Sequence, residues 1–290
     1  MSESSLWLQV ILTGLSQGSL FALVAIGFNI IYNVAALPNF SQAEFATIAA
    51  FATFYMIKVF HLPLLLVVFL VVLLAACIGT MIQMAVFYPA RNLPHMNQVL
   101  ITVGIQFILQ GAVLVIWGID PIVSLPFSGS KPIDFFGAKI STQSIWVIGL
   151  TLVLTAAIYL FFSHTIWGKA LRSVAEKRDI AGIVGINASR MDALAWVLAA
   201  VIGAVGGILI APLYPFVYDS GLMIVGMVFC SIGIGGMGNV LGGLGGGMLI
   251  GMLLAIGAGF FAAYKEIVVF IVLLIVLTFR PQGLFGRKQG

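Results

Sequence analysis

Ser4–Ala43 reads SSLWLQVILTGLSQGSLFALVAIGFNIIYNVAALPNFSQA, and it contains no Asp, Glu, Lys, Arg or His. An ionised side chain at mid-bilayer costs about 3 kcal/mol or more, so charge-free apolar stretches of this kind mark membrane spans. One helix crosses with about 20 residues at about 1.5 Å each. Ser4–Ala43 is too long for a single crossing, and Pro38 and Asn39 supply a break. The stretch therefore predicts one span ending near Tyr32 and a second beginning near Ser41.

The same reading extends outward. Val59–Ala90, Asn92–Ile119, Ile140–Gly168, Ala193–Tyr218 and Ser220–Tyr264 are free of Asp, Glu, Lys and Arg. The last is again too long, and the glycine run Gly233–Gly247 breaks it. Ile267–Phe279 is short enough to be a tilted span or a re-entrant piece. The predicted fold class is all-α: one polytopic integral membrane bundle over residues 1–290 with eight or nine transmembrane helices.

Composition agrees, with 62% hydrophobic and 8% charged residues and a mean hydropathy of +1.19. Soluble domains carry about 25% charged residues. The lipid bilayer is thus a required partner. The net charge of +4 does not point to nucleic acid, because the Lys and Arg sit between apolar runs rather than on one face. With nine spans, Arg91, Lys169, Arg172, Lys177, Arg178, Arg190, Arg280, Arg287 and Lys288 fall on one side, against Lys58, Lys131, Lys139 and Lys265 on the other. The richer side is cytoplasmic, which puts the N-terminus outside and the C-terminus inside. Met1–Leu6 holds no Lys or Arg, so the first apolar run is expected to remain as a span rather than leave as a signal peptide.

Two segments outside the spans are long. Residues 120–143 form an outer loop in which Ile133–Ser141 predicts a small β-hairpin turning near Gly137. Residues 167–192 form the most polar stretch, on the inner side. Within it Leu171, Val174 and Ala175 share a helix face, Arg172 and Glu176 form an i, i+4 pair, and Ser189–Asp192 reads as a capping box. This segment is either a surface helix that docks on a partner or a charged loop that only fixes topology.

Chemistry-bearing motifs are few. Gly233-Ile234-Gly235-Gly236-Met237-Gly238 matches G-x-G-x-x-G, yet it lacks the strand context and the acidic residue that a dinucleotide site needs. No G-x-x-x-x-G-K-[ST] occurs. Cys77 and Cys230 read as buried small hydrophobes, and His61, His95 and His164 as interfacial anchors, so no metal, cofactor or catalytic residue is expected. Gly243, Gly247 and Gly251 recur every fourth residue, followed by Ala255 and Gly259, forming a groove for close helix packing within the chain or between subunits. Asn39, Gln42 and Glu44 follow the Pro38 break, where irregular backbone at membrane depth must be enclosed by protein or by a watery cavity. They are expected to line a pathway, Glu44 facing the interior whether charged or neutral. The alternative is an interfacial Glu44 that serves a helix N-terminus.

Several blocks, in order along the chain, resemble the branched-chain amino acid permease family of ABC importers. Gly18–Phe45 carries Ala22-Leu23-Val24-Ala25-Ile26-Gly27 and then Asn39-Phe40-Ser41-Gln42-Ala43-Glu44-Phe45. Gly168–Asn187 has the Gly-x-Ala-x-Arg start and the Gly-Ile-Asn end. Gly235-Gly236-Met237-Gly238-Asn239-Val240-Leu241-Gly242-Gly243 and Arg280-Pro281-Gln282-Gly283-Leu284-Phe285-Gly286-Arg287 complete the set. The resemblance implies a non-catalytic transport subunit of the bacterial inner membrane. Its implied partners are a second related permease subunit, two ATP-binding cassette subunits and a periplasmic substrate-binding protein. It makes Gly168–Asn187 the ATPase-coupling segment, with Gly168, Ala170, Arg172, Ala175, Glu176, Ala181, Gly185 and Asn187 as its residues. Branched-chain amino acids lead as substrate, with urea, short amides and small carboxylates as alternatives. From the residues alone, a self-sufficient secondary transporter and an intramembrane enzyme also stand.

Overall fold

The computed structural model describes residues 3–129, 132–135, 138–260 and 262–286. α1 (Glu3–Ala35) is followed by a 3-10 turn (Phe40–Ala43) and α2 (Glu44–Lys58). α3 (Leu64–Ile82) continues through a π turn (Gln83–Phe87) into the short α4 (Tyr88–Ala90), and α5 covers His95–Trp117. The hairpin β1 (Pro132–Phe135) and β2 (Ala138–Ser141) pairs antiparallel, Pro132 opposite Ser141 and Phe135 opposite Ala138. The turn expected near Gly137 lies outside the described residues. α6 (Thr142–His164), α7 (Ile166–Glu176), α8 (Arg178–Ile183), α9 (Ala188–Ile210), α10 (Ser220–Gly235), α11 (Val240–Phe260) and α12 (Lys265–Phe279) complete the chain.

Among the described residues the architecture is all-α apart from that hairpin. Among the same described residues six helices are long and apolar enough to cross a membrane: Ser5–Ala35, Leu64–Ala90, His95–Trp117, Thr142–His164, Ala188–Ile210 and Val240–Gly259. α2 and α12 have 15 residues each and α10 has 16, which at about 1.5 Å per residue falls short of the roughly 30 Å hydrocarbon layer.

α1 is the axis of the bundle. It packs against α11, α9, α6 and α10, and its apolar window is 67% buried, as is that of α9, against 17% for α6. The contact with α11 is backbone to backbone. A Cβ at Gly247 would lie 2.3 Å from the Ala22 nitrogen, and one at Gly251 would lie 2.2 Å from the Gly18 nitrogen. Gly18 and Gly14 complete the seam from the other side, against Met248 and Met252. Gly243 meets Ile26 and Asn29 more loosely, at 3.2–3.3 Å. Small-to-small contact of this kind lets two helices gain dispersion and weak Cα–H···O attraction that no hydrophobic drive supplies inside lipid.

The end of this seam is locked by polar groups. Asn29 accepts a hydrogen bond from the Gly238 N–H at 3.0 Å and donates to the Asn239 carbonyl at 2.9 Å, while Asn33 donates to the Gly238 carbonyl at 2.7 Å. The segment after α12 folds back beneath them, Leu284 N–H donating to Ile234 O at 2.7 Å and Phe285 N–H to Gly235 O at 3.1 Å. Gly236 and Gly238 take φ of 105° and 78°, which explains glycine there. The G-x-G-x-x-G pattern is therefore a helix end and a latched turn.

The cations sort to the two ends of the bundle. Arg91, Lys169, Arg172, Lys177, Arg178, Arg190 and Arg280 lie at the end that holds Ala35, and Lys58, Lys139 and Lys265 at the end that holds Ser5. Lys131, Arg287 and Lys288 lie outside the described residues. Three local expectations are corrected. The N-cap of α9 is Asn187, which accepts from the Arg190 N–H at 3.1 Å, because Ser189 already sits in the first turn. Asp192 instead pairs with Arg178, whereas among the described residues Arg172 and Glu176 form no ion pair with each other. Cys77 is exposed on the outer face of α3, while Cys230 is buried.

Gly247→Leu is expected to cut membrane-inserted yield several-fold, since it places a branched side chain where Ala22 backbone stands and exceeds the ~1–3 kcal/mol of ordinary overpacking. Folded yield measured by fluorescence-detected gel filtration checks this, and wild-type yield would show that the α1–α11 seam tolerates separation.

Candidate functional site

The chain reverses after α1. Ala36 takes a φ of 52°, rare for a residue with a side chain, and Asn39 then caps the 3-10 turn. Its Oδ1 accepts from the Ser41 N–H at 3.1 Å and from the Ser41 hydroxyl at 2.7 Å. This turn lies inside the bundle: Asn39, Ser41, Gln42, Glu44 and Thr47 are all 0% exposed.

Glycines on three surrounding helices create the room. Gln42 donates from Nε2 to the Ala199 carbonyl of α9 at 2.8 Å, and its amide fills space that a Cβ at Gly27 of α1 would need, with Gly203 of α9 behind it. One turn on, the Ala46 carbonyl fits against Gly207, where a Cβ would stand 2.1 Å away. The Glu44 carboxylate lies against Gly221 near the start of α10, where a Cβ would approach Oε1 to 2.2 Å. Asn39, Gln42 and Glu44 thus share one buried turn clasped by α1, α9 and α10.

Polar satisfaction in this turn is incomplete. Asn39 Nδ2, Gln42 Oε1, both Glu44 oxygens and Thr47 Oγ1 are buried without a hydrogen-bond partner. Buried polar groups are paired in the great majority of cases, and each orphan costs about 1–3 kcal/mol. A cluster of five such atoms on one broken helix, in a chain of this hydropathy, marks a place where something other than packing sets the residue types. The N-cap of α2 is Ala43, and it makes no side-chain hydrogen bond.

The polar segment between α6 and α9 is built differently. Gly168 packs onto the end of α6, with Phe161 O 2.2 Å from where its Cβ would be, and its N–H donates to Thr165 Oγ1 at 3.0 Å. Leu171 and Val174 are buried and seat α7 on the bundle, while Arg172, Ala175 and Glu176 face outward and Ala170 is half-buried. Ala181 is buried at 2% exposure, Gly185 takes a φ of 85°, and Asn187 caps α9. Gly168, Ala181, Gly185 and Asn187 therefore shape the segment, and its free surface is Arg172, Ala175 and Glu176 with the exposed Ile180, Ile183 and Val184. A hollow of about 460 Å³ adjoins it, lined in part by Asn33, Arg172, Glu176, Met237 and Asn239. Arg178 and Asp192 tie α8 to α9, the second contact being Nη1 to Oδ1 at 3.0 Å.

Among the described residues no group of three or more His, Cys, Asp and Glu side chains could hold a metal ion. Sequence reading missed Gly27, Gly203, Gly207 and Gly221, whose role lies only in what they stand against. It also missed Gly14 and Gly18, whose four-residue spacing was a usable signal for the partner of Gly247 and Gly251.

Known proteins are similar to this chain in sequence along its whole length. The high-affinity branched-chain amino acid transport system permease protein LivH of Escherichia coli K12 is 29% identical over 100% of this chain and 99% of its own length. The corresponding protein BraD of Pseudomonas aeruginosa is 28% identical over 100% and 99%. A probable LivH of Methanocaldococcus jannaschii is 26% identical over 92% and 89%. Residues 10–277 match the family described as branched-chain amino acid transport system / permease component. From the first helix to the last, the chain belongs to the branched-chain amino acid transport permease family.

Proposed function

We propose that the chain is the membrane-spanning subunit of an ATP-driven importer and forms part of the route by which branched-chain or similar amino acids cross a bacterial inner membrane. The observation that carries this reading is the buried, hydrogen-bond-deficient turn at Asn39, Gln42 and Glu44. A carboxylate enclosed at this depth in an apolar bundle is costly, and such groups are kept for ion or substrate pathways. The subunit does no covalent chemistry; it alternates between two arrangements, with ATP hydrolysed by separate cassette subunits. A second permease subunit and a periplasmic binding protein complete the assembly.

The cation-rich end is cytoplasmic by the positive-inside rule, with the N-terminus of α1 outside. α2, α10 and α12 then cross only part of the layer or meet a thinned bilayer, giving nine membrane segments in all. The segment at residues 167–192 faces the cassette subunit, with Arg172, Ala175, Glu176 and the apolar Ile180, Ile183 and Val184 as the contact surface. Its Arg178–Asp192 pair passes movement to α9, whose Ala199 carbonyl holds Gln42.

Uptake in proteoliposomes containing the complete transporter tests the central reading. Glu44→Ala and Glu44→Gln are expected to lower uptake by about tenfold or more, the scale of one charged hydrogen bond at about 1.5–3 kcal/mol. Unchanged uptake and affinity in both, at normal assembly, would remove Glu44 from the pathway, and uptake without ATP would replace the importer by an ion-driven carrier.

Cysteines introduced at Ser173 and Ile183 are expected to crosslink to the cassette subunit in membranes. Ala181→Cys is expected to crosslink poorly because that side chain points into the bundle. Labelling of Ser173→Cys only from the outer side would reverse both the docking and the orientation.

A further inference from the structure

α5 carries polar side chains that the pathway residues of α2 leave unexplained. Thr102, Gln106 and Gln110 recur at four-residue spacing and so share one face. Thr102 is 0% and Gln106 2% exposed. Gln106 Nε2 and Gln110 Oε1 are both buried without a partner. Two orphaned amides on one face of an apolar helix are not accounted for by packing.

Two anchors set what this face looks at. Near its start, Thr102 Oγ1 accepts from the Phe40 N–H at 3.3 Å. At its end, the Trp117 carbonyl accepts from the Tyr55 hydroxyl at 3.2 Å, and the Trp117 ring lies 5.8 Å from Phe51 and 6.2 Å from Tyr55. Thr102 to Trp117 and Phe40 to Tyr55 are equal steps of 15 residues (117 − 102 and 55 − 40). The two helices therefore run in parallel register, and Gln106 stands level with Glu44, with Gln110 one turn further, level with Thr47 and Ile48.

The unpaired atoms of the buried turn and of α5 divide into donors and acceptors, with the Thr47 hydroxyl able to serve as either. Asn39 Nδ2 and Gln106 Nε2 are donors; Glu44 Oε1 and Oε2, Gln42 Oε1 and Gln110 Oε1 are acceptors. A group that offers ammonium protons on one side and carboxylate oxygens on the other satisfies both sets together; urea or a neutral amide also carries donors and an acceptor, but only the ammonium makes a charge-assisted bond to the Glu44 carboxylate. α5 is also loosely held, packing chiefly on the 3-10 turn and α2, so it can part from them at the cost of few other contacts.

We propose that the seam between α2 and α5 is a binding track for a zwitterionic α-amino acid, with Gln106 donating to the carboxylate and Glu44 and Gln110 accepting from the ammonium. It rests on the reading that Glu44 lines the pathway and adds α5 as the wall that recognises the substrate. Gln106 and Gln110 are then specificity residues, and the track opens when α5 moves away from α2.

The test uses the complete transporter in proteoliposomes, with Cys77 and Cys230 replaced by Ser and single cysteines introduced as Glu44→Cys, Gln106→Cys and Gln110→Cys. Modification by a small cationic methanethiosulfonate is followed with and without L-leucine at a concentration well above the KM measured for each cysteine variant. All three positions are expected to react, and L-leucine is expected to slow the reaction at each by about fivefold or more, the scale of occlusion by a bound group. Protection at Glu44→Cys without protection at Gln106→Cys overturns the α5 assignment and leaves the pathway reading intact. Absence of protection at all three, or of any modification, overturns both. In parallel, Gln106→Glu, which replaces the donor by an acceptor, is expected to raise KM for L-leucine by about tenfold with maximal rate largely kept, as one hydrogen bond to a charged group predicts. An unchanged KM overturns the assignment.

Discussion

Close backbone contact between α1 and α11 is the constraint on which the bundle depends. In lipid, neighbouring helices gain nothing by hiding apolar surface from each other, so they hold together by fit and by hydrogen bonds. Gly14 and Gly18 on one side and Gly247 and Gly251 on the other bring two backbones together along α1, and Asn29 and Asn33 then tie the turn before α11 to the same helix. With α1 fixed as the axis, α9 and α10 can pack around it, and the turn that follows α1 is delivered into the middle of the molecule.

That turn could not exist at this depth on the outside of the bundle, because lipid offers no partner to its free N–H and C=O groups. Its enclosure depends on absent side chains: Gly27, Gly203, Gly207 and Gly221 stand where Gln42, Ala46 and Glu44 need space. The enclosure still leaves the side-chain atoms of Asn39, Gln42, Glu44 and Thr47 short of partners. A protein selected only for stability would replace such groups with apolar ones of similar shape, which is nearly neutral or stabilising. Their presence at the centre of this chain supports the proposal that they are kept for the pathway at a cost in stability.

The two proposed working regions share one helix. α9 begins at the Asn187 cap, carries Asp192 against Arg178 of the polar segment, and one to two turns later presents the Ala199 carbonyl to Gln42. A rigid helix held near its start by Arg178 and at its middle by Gln42 is a simple carrier of displacement, and it needs no chain of soft side-chain contacts between them.

The membrane class, the positions of the apolar segments, the break at Pro38 and Asn39, the sorting of cations to two ends and the family were legible in the sequence. Each depends on a property that a residue carries alone: a charge that cannot enter lipid, a proline that ends a helix, or a motif in a fixed order. Several matters were not legible. Ser189 looked like a helix cap until Asn187 took that place, and Gly168 and Ala181 looked like docking residues although both face the bundle. Three apolar segments proved too short to span alone as straight helices. The orphaned amides of α5 had no meaning until the register of α2 against α5 set Gln106 level with Glu44. These are relations between distant residues, and what a glycine makes room for, or which carboxylate is left without a donor, depends on three-dimensional packing that local composition does not encode. Sequence determined that this chain lives in a membrane and which apolar pieces it has; the tertiary structure decided which face of each piece meets which neighbour, because close packing acts between backbones far apart in the chain.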